Sequence, residues 1–488
     1  MTLSIDRNGR PPEKTCSPVL MGFDRLGAAV RGRFLGRNSG EGFSSVCIDS
    51  RTVKPGALFV ALEGNVQDGH LYVESAFKAG AVCALVEASR LKPLDLEEKA
   101  KELGGLLIVV ENSLRALQDA AAAYLDGFPA LLRVGISGSS GKTTTKEIAA
   151  AISRRELPTV MNPVNLNSES GLPLAVFEVR DFHRVGIFEL GMNRPGEIAE
   201  LARVLRPHIA LITNVGLSHI GMIGSRRGIA LEKKQIFSCF GEDCIALIPA
   251  AGEFSGFLAE GLKGITRFYG PQSFEELGPV RDLGLSGSEI TWAGEKVLFA
   301  LPGKHNLEDA VAAIAIAREL GIGNRAIREG LESVRPLFGR SEILEGDITV
   351  IQDCYNANPE STAAAISFCD SLEYPGRKVY VLGSMLELGN DSEAAHRELG
   401  SILSRCAADM LFLYGKEMEG AAAELEKAEA GYFHTNNIAE LASSLEDYVE
   451  PGDLVLLKGS RGCALERLSP VFSGKGKPVF SGMEGKCS

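Results

Sequence analysis

The sequence has no C-x-x-C pair, no long uncharged apolar run, few aromatic residues and no surplus of basic charge. Three of these lacks each remove a class of function. Cys16, Cys47, Cys83, Cys239, Cys244, Cys354, Cys369, Cys406, Cys463 and Cys487 are scattered, so neither a zinc site nor a thioredoxin-like motif is suggested. That spread fits free thiols in a reducing cytosol better than a disulfide framework. No uncharged stretch reaches the ~18 residues expected of a membrane helix. The N-terminus MTLSIDRNGRPPEKTC is charged throughout and does not read as a signal peptide. Lys and Arg number 51 against 63 Asp and Glu, a net charge of −12. Nucleic-acid binding needs clustered cations and is not expected. An anionic small molecule stays compatible, because a local cluster of donors can hold phosphates on an acidic protein. The expectation is a soluble, cytoplasmic protein with no nucleic-acid partner and no integral membrane association.

What is present is the composition of a globular chain, 45% hydrophobic and 23% charged over 488 residues. That length exceeds one hydrophobic core, so two to four domains are expected. Apolar runs of strand length stand at 131–136, 185–190, 210–215, 349–351, 379–382, 410–413 and 454–457. Most lead into a turn and a helical pattern, such as the Ala-rich 306–320, and this alternation implies parallel sheets covered by helices. Boundaries are expected near 110–113 and near 335–340, where RPLFGR places Pro and Gly after a helix. They divide the chain into domains at 1–110, 111–337 and 338–488. The first is mixed, with strands around 45–48, 57–61 and 81–87. The small, polar C-terminal residues are expected to fray.

SGSSGKTTTKE (137–147) lies between a strand and a helix, the context of a phosphate loop. Glycines let backbone N–H groups turn inward, and the helix N-terminus adds its positive dipole end. Lys142 would reach the terminal phosphates and the Thr143 hydroxyl a Mg²⁺ ion. Ile136 occupies the first glycine position of the usual G-x-x-x-x-G-K-[ST] pattern, with Gly138 and Gly141 bracketing the loop instead. The bland alternative is a Gly/Ser turn that happens to contain Lys-Thr. Ligands of open α/β sheets bind outside the carboxyl ends of strands. Glu189 and His219 both fall there, a carboxylate and an imidazole that suit a cation or phosphate. Alternatively, Glu189 is a partly solvated edge residue and His219 a structural loop histidine.

NLNSESGLPLAV, FELGMNRPGEI, ITNVGLSHIGMIGS and PGKHNLEDAVAAIAIA follow the loop in that order, then DCYNANPES, VLGSMLELG and LLKGSRG. This series closely resembles the Mur ligases, and within them the members that add D-alanyl-D-alanine, over about residues 49–462. YNANP-x-S together with GSSGKTTTK favours that branch over the amino-acid-adding ligases and the folylpolyglutamate synthases. The resemblance implies three α/β domains: a small mixed N-terminal domain holding the UDP end of a substrate, a central P-loop domain with a doubly wound parallel sheet, and a C-terminal Rossmann-like domain. It implies ATP-dependent ligation of D-alanyl-D-alanine to UDP-N-acetylmuramoyl-tripeptide through an acyl phosphate, for peptidoglycan precursor synthesis, by a monomer.

The resemblance also implies roles. Gly138, Ser139, Ser140, Gly141, Lys142, Thr143 and Thr144 would hold ATP, with Asn306 at the adenine, Arg340 on phosphate, and Asp353 and Tyr355 facing the nucleotide. Two Mg²⁺ ions are implied, one on Thr143 and Glu189 and a second helped by His219. Lys233 matches the lysine carbamylated by CO₂, which turns a cation into a metal-binding anion; Lys142, Lys233 and His219 form the implied catalytic set. Ser50, Arg51, Asn165, Asn167, Asn356, Asn358 and Ser361 are the implied substrate contacts. Read without the family, Lys233 and Lys234 are solvent-facing helix charges, Asn-Ala-Asn-Pro is a turn, Arg340 a surface ion pair, Lys458 and Arg461 loop cations, and Ser50–Arg51 a hairpin turn. The sequence departs from the family at Ser168, Gly221, Gln235 and Ser384, positions that touch hydrogen bonds around the site rather than an assigned metal or phosphate group. Outside catalysis, the alternative is a regulatory P-loop protein that binds nucleotide and a cell-wall precursor; within ligases, it is a different amine or acyl acceptor.

Overall fold

The computed structural model describes residues 19–36, 40–64, 67–163 and 166–472. It divides into two compact units: one takes the described residues of Met1–Arg133, Pro158–Leu190 and Glu200–Arg206, the other those of Val134–Leu157, Gly191–Ala199 and Pro207–Ser488.

In the first unit, Arg33–Gly36, Leu106–Val110, Cys83–Glu87, Ala57–Val60 and Ser45–Cys47 form a five-stranded sheet in that order. Only Arg33–Gly36 runs antiparallel to its neighbour. The central strands are buried on both faces and therefore read as unbroken apolar runs, LLIVV and CALVE, rather than alternating ones. Because Ser45–Cys47 and Ala57–Val60 are parallel, the alternative reading of Ser50–Arg51 as a hairpin turn does not hold; a crossover must carry the chain back. Thr159–Met161 and Val185–Glu189 pair in parallel in this unit. Phe43, Tyr124 and Phe177 pack as an aromatic cluster, with Tyr124–Phe177 ring centroids 5.0 Å apart. The Tyr124 hydroxyl is satisfied by donating to the Val179 carbonyl at 2.7 Å.

In the second unit, Ile265–Tyr269, Ile245–Pro249, Ile209–Ile212 and Leu132–Ser137 pair in parallel in that order. The helix Lys142–Ser153 packs on Lys304–Glu319 and Asn324–Ser333. The alanines of Lys304–Glu319 line its buried face and admit that close approach. A three-stranded antiparallel sheet follows, Leu277–Asp282, Ser288–Trp292 and Glu295–Phe299. The C-terminal sheet orders Glu342–Leu344, Thr349–Asp353, Leu454–Lys458, Lys378–Gly383, Met410–Tyr414 and Tyr432–Thr435, parallel except for its first strand. Chain order and spatial order differ here, so the sheet has a switch point where Leu454–Lys458 sits between Thr349–Asp353 and Lys378–Gly383. That is where an open α/β sheet presents its strand ends to a ligand. The expected run 210–215 stops as a strand at Ile212, because Thr213 and Asn214 turn their hydrogen bonds to the phosphate loop.

Candidate active site

The strand Leu132–Ser137 delivers the chain into 138–141 and then the helix Lys142–Ser153. Ile136 is fully buried, so the expected first glycine position belongs to the core and the turn begins only at Gly138. Gly138 and Gly141 have φ of 154° and 76°, the region that favours glycine. Their surroundings forbid a side chain as well. A Cβ on Gly138 would lie 1.8 Å from Thr213 Oγ1, and one on Gly141 2.0 Å from Asp309 Oδ1.

Residues after the strand Ile209–Ile212 clamp the loop. Ser139 N–H donates to the Asn214 carbonyl at 3.1 Å and Ser140 N–H to Asn214 Oδ1 at 3.0 Å. Asn214 Nδ2 donates back to Ser140 Oγ at 2.9 Å, Thr213 Oγ1 to the Ser140 carbonyl at 2.6 Å, and Gly216 N–H to Ser139 Oγ at 2.8 Å. Lys142 Nζ reaches over the loop to the Gly138 carbonyl at 2.8 Å. Thr143 is buried and Thr144 half-buried in the first helical turn, whose orphan N–H groups and dipole favour an anion.

Beneath the loop, Thr145 Oγ1 lies 3.3 Å from Asp309 Oδ1. Burial pushes the Asp309 carboxyl well above the usual carboxylate range. Lys233, on the helix Arg226–Lys234, is 1% exposed. This overturns the reading of both lysines as solvent-facing charges. Burial, with the positive Lys142 adding to it, holds the Lys233 ammonium well below its ordinary range. Lys234 is different: it donates to the Phe257 and Glu260 carbonyls and lies over the Phe257 ring. The neighbouring Glu232 carboxylate accepts from Gly196 and Ile198 N–H at 2.9 and 3.1 Å.

The C-terminal elements meet the same segment. Asn358 caps the helix Pro359–Ser371 in a reciprocal box with Ser361, and its Nδ2 donates to Ser218 Oγ at 2.5 Å. Ser218 Oγ in turn donates to the Ser139 carbonyl at 3.1 Å, and Leu217 N–H to Glu360 Oε1 at 2.7 Å. The Arg340 guanidinium stacks 4.1 Å from the Tyr355 ring centroid, with its Nε buried and unpartnered. Asp353 accepts from Ser341 N–H at 3.2 Å and from the buried Lys458 Nζ at 2.7 Å, while Lys458 also reaches the Asn356 carbonyl. Arg461 pairs with Glu466. The Asn306 amide donates to the Pro302 carbonyl at 2.7 Å, and Asn356 is exposed. His219 Nδ1 stands 3.2 Å from Glu387 Oε2. The imidazole, with Lys142 behind it, holds that carboxyl below its usual range.

In the first unit, Glu189 ends its strand 2% exposed. Its Oε1 accepts from Asn167 Nδ2 at 2.7 Å, and Asn162 bonds both its N–H and its carbonyl. Asn165 lies outside the described residues. Ser50–Thr52 is a short 3-10 turn in which Asp49 takes the Arg51 guanidinium through two oxygens at 2.9 and 2.7 Å. The DGH segment is internal architecture: buried His70 accepts Glu87 N–H on Nε2 at 3.0 Å and faces Asp68 with Nδ1 at 2.6 Å.

Comparison with known proteins settles the family. The chain matches "Mur ligase family, catalytic domain" over residues 43–125, "Mur ligase middle domain" over 136–317 and "Mur ligase, glutamate ligase domain" over 339–461. It is 41% identical to a UDP-N-acetylmuramoyl-tripeptide–D-alanyl-D-alanine ligase of Treponema pallidum, across 93% of this chain and 99% of that protein. The chain belongs to the Mur ligase family. Two solved Mur ligases share its fold. A crystal structure of MurF from Acinetobacter baumannii has a TM-score of 0.82 at 28% identity, covering 93% of this chain and 98% of that one. MurF ligase from Thermotoga maritima, in complex with ADP, has a TM-score of 0.72 at 27% identity, covering 88% and 96%. The three-domain α/β architecture is therefore that of a Mur ligase.

The structure also explains one departure of this Mur ligase from the family. A Cβ on Gly221 would lie 2.4 Å from Gly389 N, so no larger residue fits while these backbones touch. Ser168 Oγ accepts Gly171 N–H at the start of a helix, and Ser384 N–H bonds the Tyr414 carbonyl. Sequence reading missed Asp309 and Glu387. The available signals were an acid on the buried face of an Ala-rich helix and an acid within a strand-end loop.

Proposed function

We propose that this Mur ligase joins the amine of D-alanyl-D-alanine to the peptide carboxylate of UDP-N-acetylmuramoyl-tripeptide, driven by ATP. The likeness to a D-alanyl-D-alanine ligase over almost its entire length carries the reading, and the ADP held by a structural relative supports ATP as the phosphoryl donor. The γ-phosphoryl group passes to the carboxylate, giving ADP and an acyl phosphate. The amine then attacks the acyl carbon, its proton is lost, and phosphate leaves as the amide forms. Two anionic reactants must lie side by side, so the chain's part is positioning and charge compensation.

Lys142 and the 138–144 backbone hold the phosphates, and Arg340, braced on Tyr355, contributes from the turn before the C-terminal sheet. No group of three or more His, Cys, Asp or Glu able to hold a metal occurs among the described residues. That fits Mg²⁺, which takes one or two protein ligands and completes its shell with phosphates and water. Bound there, two Mg²⁺ ions would offset the negative charge gathered around the transferring group. Thr143, Glu189, His219 and carbamylated Lys233 keep the metal-binding roles the resemblance implies. Burial of Lys233 supports the carbamate, since a neutral amine is the form that adds CO₂. Lys233→Ala should be inactive and partly rescued by a short carboxylate; full activity would remove the carbamate role.

Among the described residues no helix is long and apolar enough to cross a membrane. The described cysteines are free, which supports a reducing, cytoplasmic setting. The chain is proposed to act as a monomer on its two substrates. The decisive experiment measures ADP release with each substrate omitted in turn. Release should require both the UDP-muramoyl-tripeptide and the dipeptide, and equal rates without the dipeptide would sink the ligase reading.

A further inference from the structure

The segment 217–223 and the loop 384–391 meet backbone to backbone. A Cβ on Gly221 would lie 2.4 Å from Gly389 N, and one on Gly389 2.5 Å from Gly221 Cα, so two glycines make the contact possible. Two residues before each glycine stand His219 and Glu387, with Nδ1 and Oε2 3.2 Å apart. Both adopt left-handed backbone, φ 64° and 68°, without being glycine. The loop that carries Glu387 is pinned from behind: Met385 N–H donates to the buried His396 Nε2 at 3.0 Å, and Leu386 N–H to Ser460 Oγ at 2.9 Å. The carboxylate therefore arrives on a held backbone. Its side chain is 58% exposed against 16% for the histidine, and so open a pair adds little to stability. Its effect is directional. A proton on Nδ1 facing the carboxylate leaves the Nε2 lone pair as the ring's free donor atom, the arrangement by which a carboxylate sets the tautomer of a metal-binding imidazole.

We propose that Glu387 is a positioning residue that sets the tautomer and aim of His219, making this histidine competent for a divalent cation when the 384–391 loop is seated on 217–223. The inference rests on the metal role assigned to His219 above. Mn²⁺ titrated into the ADP-bound chain and followed by electron paramagnetic resonance reads metal affinity without turnover. Glu387→Ala should weaken Mn²⁺ binding by ~10- to 100-fold, with ADP affinity and the thermal midpoint unchanged. Glu387→Gln, which still accepts a hydrogen bond, should restore most of the loss. In a His219→Ala background, Glu387→Ala should add nothing. Unchanged Mn²⁺ affinity in Glu387→Ala, or the same loss without His219, overturns the proposal. Substrate-dependent ADP release by the unaltered chain is measured alongside; its failure would strike the ligase reading and leave the Mn²⁺ comparison readable.

Discussion

The phosphate loop at 138–141 and the turn Ser50–Thr52 each follow a strand of a parallel sheet, yet they are held in different ways. The loop is tied by residues 213–218, more than seventy positions away in sequence, through both backbone and side-chain atoms. The turn is held by Asp49, which caps Arg51 N–H and takes the Arg51 guanidinium two residues on. The first is a preformed cradle with no spare volume. The second is a local clasp whose arginine is already paired and must exchange Asp49 for any other anion. Rigidity at the first and an exchangeable clasp at the second are what the proposed roles require, positioning for phosphoryl transfer in one and recognition of a substrate end in the other.

The largest expected effect is at the cradle. Gly138→Ala combines a left-handed φ with a clash against Thr213. It should cost about 3 kcal/mol of unfolding free energy and abolish ADP binding, measured by urea denaturation and calorimetry. Retained ADP affinity at wild-type stability would show that the loop is no more constrained than the clasp. Asp309→Asn should act more gently and through pH. The raised Asp309 carboxyl keeps its proton in the folded chain after the unfolded chain has released it. Wild-type stability should therefore fall as pH rises above the ordinary Asp range, and the asparagine variant should lose that slope. Parallel stability curves from pH 4 to 8 would mean that the carboxyl is ionised beneath the loop. The smallest effect on stability is expected at the clasp. Arg51→Ala should leave the thermal midpoint unchanged while raising KM for the uridine substrate at constant kcat, the pattern of lost uniform binding. A fall in kcat instead would show that the clasp takes part in orienting the reacting end.

Much of this was legible in the chain. The inner strands of the three largely parallel sheets stand in the sequence as short apolar runs because burial on both faces demands them, and the phosphate loop is marked by glycines that neighbouring atoms leave no room to replace. Lys233 was misread from its local pattern because two adjacent lysines on a helix look equally solvated. Only packing separates them, one buried beside Lys142 and the other turned onto the carbonyls of Phe257 and Glu260. The hairpin alternative at Ser50–Arg51 fails because pairing direction is a property of the sheet, and two strands separated by a short segment can still be parallel.

The sequence by itself determined the α/β class and the phosphate loop, since these rest on residue types at short spacing, where local sterics and periodicity act; the ordered series of motifs added the resemblance to the Mur ligases. Tertiary structure alone decided which acids and bases meet. Asp309 lies under Gly141, Asn358 holds Ser218, and Glu387 faces His219 across 168 positions of chain. Contacts of that span depend on how helices and strand ends pack, and no spacing rule encodes them.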